Sequence, residues 1–343
     1  MPNRVTIADV ARLAGVSTMT VSRVINAKGD VRDATRLRVQ RAIDQLEYRP
    51  SQAARTLTTR RSHTLGLLVP DITNPFFPEI VRGAEDVAWE RGYLVSLANT
   101  VEDNDRERAA LEHFEAHRVD GLIVCSARLP EAALGAALRR HQAVVLLNRR
   151  VADEHVASLE VDDALGTRLA VAHLASTGHR TIGLLAGPRR SSSSSKRRLG
   201  YHDGIEAAGQ RFDASLVEDG EPSEDGGHRA LRALLARRPD VDAVVCYNDV
   251  VALGALAAAR DLGRDVPGAL ALVGCDDVRL ASLVHPPLTT LRIDTYALGR
   301  QAAELLFERL RDEPPRHVVV APELVVRASA PSMPPLTRER TRT

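Results

Sequence analysis

From Thr64 onward the sequence alternates short apolar runs with longer stretches of helical periodicity, and this alternation narrows the possible folds more than any other feature. Runs of β character fall at 65–69, 94–98, 122–125 and 144–147, with helical stretches at 78–90, 105–116 and 131–140 between them. Such a series predicts an α/β fold, a parallel sheet with crossover helices on its faces. A second series follows, with strands at 182–185, 243–247 and 270–273 and helices at 165–176, 196–208, 226–236 and 249–262. Two similar α/β halves in tandem imply two lobes with a cleft between them. Ligands of such sheets bind outside the carboxyl ends of the strands. One segment inside the second series, PRRSSSSSKRR at 188–198, reads as a polar loop leading into a helix.

Charge is distributed unevenly. Residues 1–61 hold 12 Lys/Arg against 5 Asp/Glu, whereas 62–343 hold 34 against 40, so the net charge of +1 conceals a basic segment on an acidic body. This distribution points to a polyanionic partner at the N-terminal end alone. A chain of 343 residues has room for two or three domains with sizeable cores. No apolar run approaches the roughly 18 residues that span a bilayer. The N-terminus leads straight into a helical pattern with no apolar signal segment, so no membrane partner is expected and the expected compartment is the cytoplasm. Cys125, Cys246 and Cys275 lie far apart, without metal-ligand spacing, and each ends or follows an apolar run; buried free thiols are expected there, with no metal site.

The basic segment begins with VTIADVARLAGVSTMTVSRVIN, residues 5–26, which reads as two short helices around a tight turn. Thr6 and Asp9 have capping-box spacing, Val10, Ala11 and Ala14 share one face, and Gly15 supplies a turn residue that tolerates positive φ. Ser17 caps the second helix, which turns Val21, Val24 and Ile25 inward and Thr18, Met19, Ser22, Arg23 and Asn26 outward. A helix-turn-helix of that polarity suits the DNA major groove. A plain helical hairpin would share the periodicity, but not the capping, the turn glycine and the basic flank together. A third helix, 34–46, is expected to close the core with Leu37, Val39, Ile43 and Leu46 and to leave Arg36, Arg38 and Arg41 in solvent. Pro50 then breaks the chain, and Ser51 can cap a short helix, 52–57, that is marginal alone in water. A plain basic linker is the other reading of that stretch.

The runs TIADVARLAGVSTMTVSRVIN, TRLRVQRAIDQLEYRPSQAARTL and LGLLVPDITNPFFPEIVRGAE, followed by GCDD and PPLTTLR, resemble the lac repressor (LacI/GalR) family of bacterial transcription regulators, over roughly residues 5–329 and in the family's order. The resemblance implies a small all-α helix-turn-helix domain (1–49), a hinge helix and linker (50–61), and a two-lobed periplasmic-binding-protein-like core (62–330). The first lobe would comprise 62–161 plus 291–321 and the second 162–290 plus 322–330, with three crossings between them; the tail, 331–343, is expected to be disordered and lacks an apolar heptad. A homodimer would read a palindromic operator, with Thr18, Met19 and Arg23 reaching bases and Thr6, Ser17, Thr20, Ser22, Asn26 and Thr35 positioning the DNA backbone. The hinge would fold when two subunits pair on DNA, Leu57 wedging into the minor groove and Ala54 packing against its mate.

Candidate effector residues lie at strand ends. Asn248 and Asp276 follow strands of the second lobe, and Arg197 stands three residues before Gly200, the spacing of the family's effector-binding arginine. Such groups accept from and donate to adjacent hydroxyls; taken singly, each also fits a helix cap or an ion pair. In the first lobe Phe76 and Phe77 are expected in a strand-to-helix loop facing the cleft, at least one of them packing as core, and Asn148 ends the fourth strand. Three positions depart from the family: Asn148 stands where many members have Asp, Pro222 where an aromatic is frequent, and Cys275 where Tyr is common. No HExxH, G-x-S-x-G, P-loop or G-x-G-x-x-G occurs, so neither an enzyme nor a cofactor is expected. The reading is a DNA-binding transcription regulator, a repressor in the first instance, controlled by a small carbohydrate-like effector. The alternative is a solute-binding protein of the periplasmic type, which the basic head and the missing signal segment oppose.

Overall fold

The first three helices are set by their ends. In α1 (Ile7–Ala14) the Asp9 carboxylate reaches back to the Thr6 N–H at 2.9 Å and to its hydroxyl at 2.7 Å, and the helix stops at Gly15, whose φ of 62° is left-handed. In α2 (Thr18–Ile25) the Ser17 hydroxyl accepts from the Thr20 N–H at 3.2 Å. With α3 (Asp33–Gln45) they enclose Val10, Ala11, Ala14, Val21, Val24, Val39 and Ala42, with Ile43 and Leu46 packed at the margin. Leu37, expected in that core, is 59% exposed. It precedes Val39 by two residues, about 200° around the helix, which turns it to the opposite face.

This computed structural model describes residues 5–26, 29, 31–48 and 61–332. The expected hinge helix with Ala54 and Leu57, and the tail from 333, lie outside the described residues. The chain divides into two compact units, one ending at Ser62 and the other beginning at His63.

The second unit starts with β1 (Thr64–Val69), α4 (Phe76–Glu90), β2 (Leu94–Asn99), α5 (Asn104–Ala116), β3 (Gly121–Cys125), α6 (Glu131–Leu138), β4 (Val144–Leu147) and β5 (Val156–Val161). It continues with α7 (Asp163–Ser176), β6 (Ile182–Ala186), α8 (Ser192–Ala207), β7 (Val217–Asp219), α9 (Glu224–Arg237), β8 (Ala243–Cys246), α10 (Asp249–Asp261) and β9 (Ala271–Val273). It ends with β10 (Thr290–Arg292), α11 (Thr295–Leu310), β11 (His317–Val320) and β12 (Glu323–Val325). One parallel sheet has the order β11-β5-β4-β3-β1-β2 and the other β7-β6-β8-β9, while β10 and β12 form an antiparallel pair. The chain thus changes sheets between β5 and β6, between β9 and β11, and again after β11, where Ser329 hydrogen-bonds with Leu272 of β9.

Residues of the first sheet alternate between two cores. Leu65, Leu67, Ile123 and Val145 pack with α4 and α11, and Leu68, Leu122, Val124 and Leu146 pack with α5 and α6. Both faces are covered, which is why these strands read as unbroken apolar runs. Two strands escape such a reading. In β5, Ser158 and Glu160 interrupt the apolar run yet are buried: Ser158 Oγ meets His317 Nδ1 at 2.9 Å and Glu160 is paired with Lys196. The edge strand β7 is three residues long, and two of them, Glu218 and Asp219, are acidic.

The serine-rich stretch departs from its reading as a polar loop. Helix α8 begins at Ser192, Ser191 caps it by accepting from the Ser194 N–H at 3.3 Å, and Ser193 and Ser194 are buried. Serine competes for backbone hydrogen bonds, and its place at a helix start is what makes the run ordered. Phe76 and Phe77 likewise do not sit in a loop. They open α4, and both rings are buried in the first-lobe core, edge to face at 5.2 Å. Cys125, Cys246 and Cys275 are free and buried; burial pushes the Cys125 thiol up to about 12.

Candidate functional site

On α2 the side chains that point away from the small core are Thr18, Met19 and Arg23, all exposed, with Met19 64% exposed. The other named head residues differ from these. Ser17 and Thr20 face each other hydroxyl to hydroxyl at 3.0 Å, and Asn26 Nδ2 donates to the Ser22 carbonyl at 2.9 Å, ending the helix. Thr6 is engaged by Asp9, and Thr35, half-buried in the first turn of α3, donates its N–H to the Arg32 carbonyl at 2.9 Å. Among the described residues the head therefore presents Met19, the Thr18 hydroxyl and the Arg23 guanidinium on the exposed face of a helix, flanked by caps and exposed Arg36, Arg38 and Arg41 on α3. A major groove accepts that geometry, and a guanidinium can bond the guanine edge bidentately.

In the larger unit each sheet has a switch point, where neighbouring strands send their connections to opposite faces. It lies between β1 and β3 in one sheet and between β6 and β8 in the other. At the second of these stands Arg197, 8% exposed on α8. Its Nε donates to Asp163 Oδ1 at 2.9 Å, its Nη2 lies 2.8 Å from the same carboxylate and 3.9 Å from Asp276, its Nη1 donates to the Tyr247 carbonyl, and its guanidinium covers the Tyr247 ring at 4.8 Å. Gly200, one turn further along α8, lets this happen. A Cβ there would fall 2.3 Å from the Ala164 carbonyl, so only glycine lets α8 approach the start of α7, where Asp163 lies. The Arg197–Gly200 spacing thus has a packing cause.

Two more buried carboxylates adjoin this pair. Asp276, at a φ of 117°, is held by its N–H to the Leu291 carbonyl at 2.8 Å. Burial pushes its pKa well above the usual carboxylate range, and Arg197 only partly opposes that. Asp249 accepts from the Thr290 hydroxyl at 2.5 Å and from the Val278 N–H at 2.9 Å, and burial raises it to about 7. Burial also works against the charge on Arg197, but Asp163 foremost, with Asp276, holds it protonated well above its ordinary value. One guanidinium is thus shared by Asp163 and Asp276, and the two carboxyls that burial raises, Asp249 and Asp276, can donate as well as accept.

Of the residues singled out in the sequence, Arg197 and Asp276 are brought together here. Asn248 stands between Tyr247 and Asp249 in the chain, but its Oδ1 accepts from the Val251 N–H at 2.9 Å, so its visible work is to cap α10. Asn148, at a φ of 57°, accepts from the Val161 N–H at 3.3 Å and ties β4 to β5. Asp163, Asp249 and Tyr247 were not legible as site residues. The two aspartates look like ordinary first-turn acids, and only the pairing of α7 with α8 and of α10 with β10 exposes their partners.

The open part of the cleft is a cavity of about 890 Å³, bounded by Glu102 and Asp103 from one lobe and by Arg190, Asp219 and Pro222 from the other. The six residues named from the sequence do not line it; they are buried. Pro222 does line it, so the missing aromatic wall falls on the cavity's rim. A second buried network holds the first-lobe side. Arg128 clasps Glu102 at 2.6 and 2.9 Å and donates to the Ser126 carbonyl at 2.6 Å, while Glu107 accepts from the Arg128 N–H at 2.7 Å. Arg190 crosses the cleft to the Glu102 carbonyl at 2.6 Å.

A helix-turn-helix carried in one chain with a two-lobed, polar-cleft core defines a ligand-responsive DNA-binding regulator. Residues 6–51 match the model of bacterial regulatory proteins of the lacI family, and residues 171–330 match the periplasmic binding protein-like domain. The HTH-type transcriptional regulator GalR of Escherichia coli (strain K12) is 39% identical over 332 residues, 96% of this chain and 97% of that protein. The regulator CelR of Thermobifida fusca is 38% identical over 95% of this chain and 98% of its own. Among solved structures, a complex of CelR with cellobiose superposes with a TM-score of 0.73 at 35% identity, covering 95% of this chain and 100% of that one. A lac repressor dimer bound to operator and the anti-inducer ONPF superposes with a TM-score of 0.82 at 28% identity, covering 96% and 100%. The chain belongs to the lacI family of bacterial regulatory proteins, and it is a DNA-binding transcription regulator rather than an enzyme.

Proposed function

We propose that this protein is a cytoplasmic, homodimeric repressor that binds a palindromic operator and is controlled by a sugar or sugar derivative held between the lobes. The observation that carries the reading is the cluster of buried acids at the second-lobe switch point, Asp163 and Asp276 beside the single Arg197, with Asp249 next to Asp276. Ionised and protonated carboxyl groups together accept from and donate to the hydroxyls of a neutral polyhydroxyl ligand, whereas an anionic ligand finds Arg197 already paired with Asp163. Asn148, Arg197, Asn248 and Asp276 contact the effector by exchanging partners they now have, and Phe76 and Phe77 support the first-lobe wall. Thr18, Met19 and Arg23 read bases; Thr6, Ser17, Thr20, Ser22, Asn26 and Thr35 position the DNA backbone; Ala54 and Leu57 form the hinge contact at the operator centre. Domain limits of 1–49, 50–61 and 62–330, with a dispensable tail, complete the proposal. Among the described residues no helix is long and apolar enough to cross a membrane, and the relatives' names speak of transcription regulation; a cytoplasmic protein agrees with both.

Coupling follows because a ligand touching both lobes favours one lobe arrangement, and its effect on operator affinity is matched by the operator's effect on ligand affinity. The test is a thermal-shift screen of mono- and disaccharides, nucleosides and sugar phosphates, followed by operator titration with and without the stabilising compound. Stabilisation by a neutral sugar together with a change in operator affinity is the expected result. Stabilisation by sugar phosphates alone would overturn the ligand class.

A further inference from the structure

A second cavity, of about 360 Å³, lies within the second lobe between α8 and the β6–β7 edge of its sheet, a volume in the range of small-molecule sites. Its walls are apolar: Leu184 from β6, Leu199 and Tyr201 from α8, Phe212 and Val217 from the segment that leads into β7, with Ala214 at the rim. The Phe212 ring stands 5.0 Å from the His202 ring and 6.2 Å from that of Tyr201. Tyr201 spends its hydroxyl on the Ile182 carbonyl at 2.7 Å, and the His202 nitrogens turn to Asp203 and Glu206 at 3.5 and 3.6 Å, so ring faces and edges remain for packing.

One end of the cavity is cationic. Asp219 serves two guanidinium groups at once, Arg189 Nε at 2.8 Å and Arg198 Nη2. Among the described residues neither Arg198 Nε nor Arg198 Nη2, both buried, has a hydrogen-bond partner, Nη2 meeting Asp219 as an ion pair only. An N–H withdrawn from water without an acceptor is costly, and a bound acceptor would relieve it. Burial, then the adjacent Arg189, also lowers the Arg198 pKa.

We propose that this cavity is a second ligand site, separate from the cleft, that takes a small organic anion with a flat apolar body, such as an aromatic carboxylate. The ring enters between Leu184, Leu199, Phe212 and Val217, and the carboxylate accepts from Arg198 Nε. Arg189 and Asp219 line both this cavity and the cleft, so their ion pair is the partition between the two. The site requires neither DNA nor a sugar, and it stands or falls apart from the effector reading.

The test is calorimetric titration of the full chain with phenylacetate and with its neutral isostere phenylacetamide. Phenylacetate binds saturably and at least roughly tenfold tighter than the amide, a difference of one charge-assisted contact. Arg198→Gln removes that difference. Ala214→Trp, a change at an exposed rim position that leaves the fold intact by thermal melting, fills the cavity and abolishes binding of both compounds. Ala214 does not line the cleft, so this variant separates the two sites. Equal affinity for acid and amide, no saturable binding, or phenylacetate binding unchanged in Ala214→Trp would each overturn the proposal.

Discussion

The outer face of α2 and the Arg197 cluster are both rich in polar side chains, yet they are opposite kinds of surface. On α2, Arg23 and Thr18 stand exposed beside Met19. At the switch point, Arg197 is buried and meets Asp163, Asp276 and the Tyr247 carbonyl within its own lobe. A surface with free donors can read another molecule without rearranging. A cluster whose groups already satisfy one another can receive a ligand only by exchanging partners, so under the proposed function the head recognises without rearranging and the cleft rearranges in order to bind.

This contrast can be broken most sharply at Asp163. Asp163→Ala leaves Arg197 buried without its principal counter-charge, and the cost is expected to be roughly 3–5 kcal/mol of stability. Denaturant unfolding measures it; a loss below about 1 kcal/mol would mean the cluster is wet and the contrast is false.

Arg23→Ala is the matching change in the head. It should leave the unfolding midpoint where it was and weaken operator binding by about 1–3 kcal/mol, with relaxed preference at one base of each half-site. Equal losses on operator and random DNA would reduce Arg23 to a phosphate contact.

A smaller effect comes from pH. Asp249 titrates near 7 in the folded protein because it is buried, against an ordinary value of 3.8. Between these values the native state keeps a proton that the unfolded chain has released, so stability falls as pH rises through this window and levels off above 7. The slope contributed is at most about 1.4 kcal/mol per pH unit. Urea midpoints at pH 5, 6 and 7 should therefore fall more steeply for the natural protein than for Asp249→Asn, and parallel profiles would remove Asp249 from the account.

The smallest change is local. Ser17→Ala deletes the cap on α2 and is expected to cost about 1 kcal/mol. Faster amide exchange confined to α2 in the full chain is the signature; uniform acceleration across all three head helices would show that the cap supports the whole head.

Helix ends and buried strands were legible in the residues because their causes are local. Ser17, Gly15 and the apolar runs of β1, β3 and β4 act on neighbours a few positions away. The exposed side of α2 followed from the same helical spacing that buries Val21 and Val24. Where polar residues found distant partners, the pattern misled. Ser158 and Glu160 hid β5, and five serines disguised the first turn of α8. Phe76 and Phe77 looked like loop aromatics until α4 and α11 enclosed them. The sequence by itself determined that the chain has a basic three-helix head and tandem α/β halves, since periodicity, capping and charge are properties of short windows. Only the tertiary structure decided which carboxylates surround Arg197, that Asn248 caps a helix, and that a cationic cavity lies behind Arg189 and Asp219. Those facts depend on residues from separate strands and helices meeting in space, and contact across 34 to 79 positions leaves no mark on local spacing.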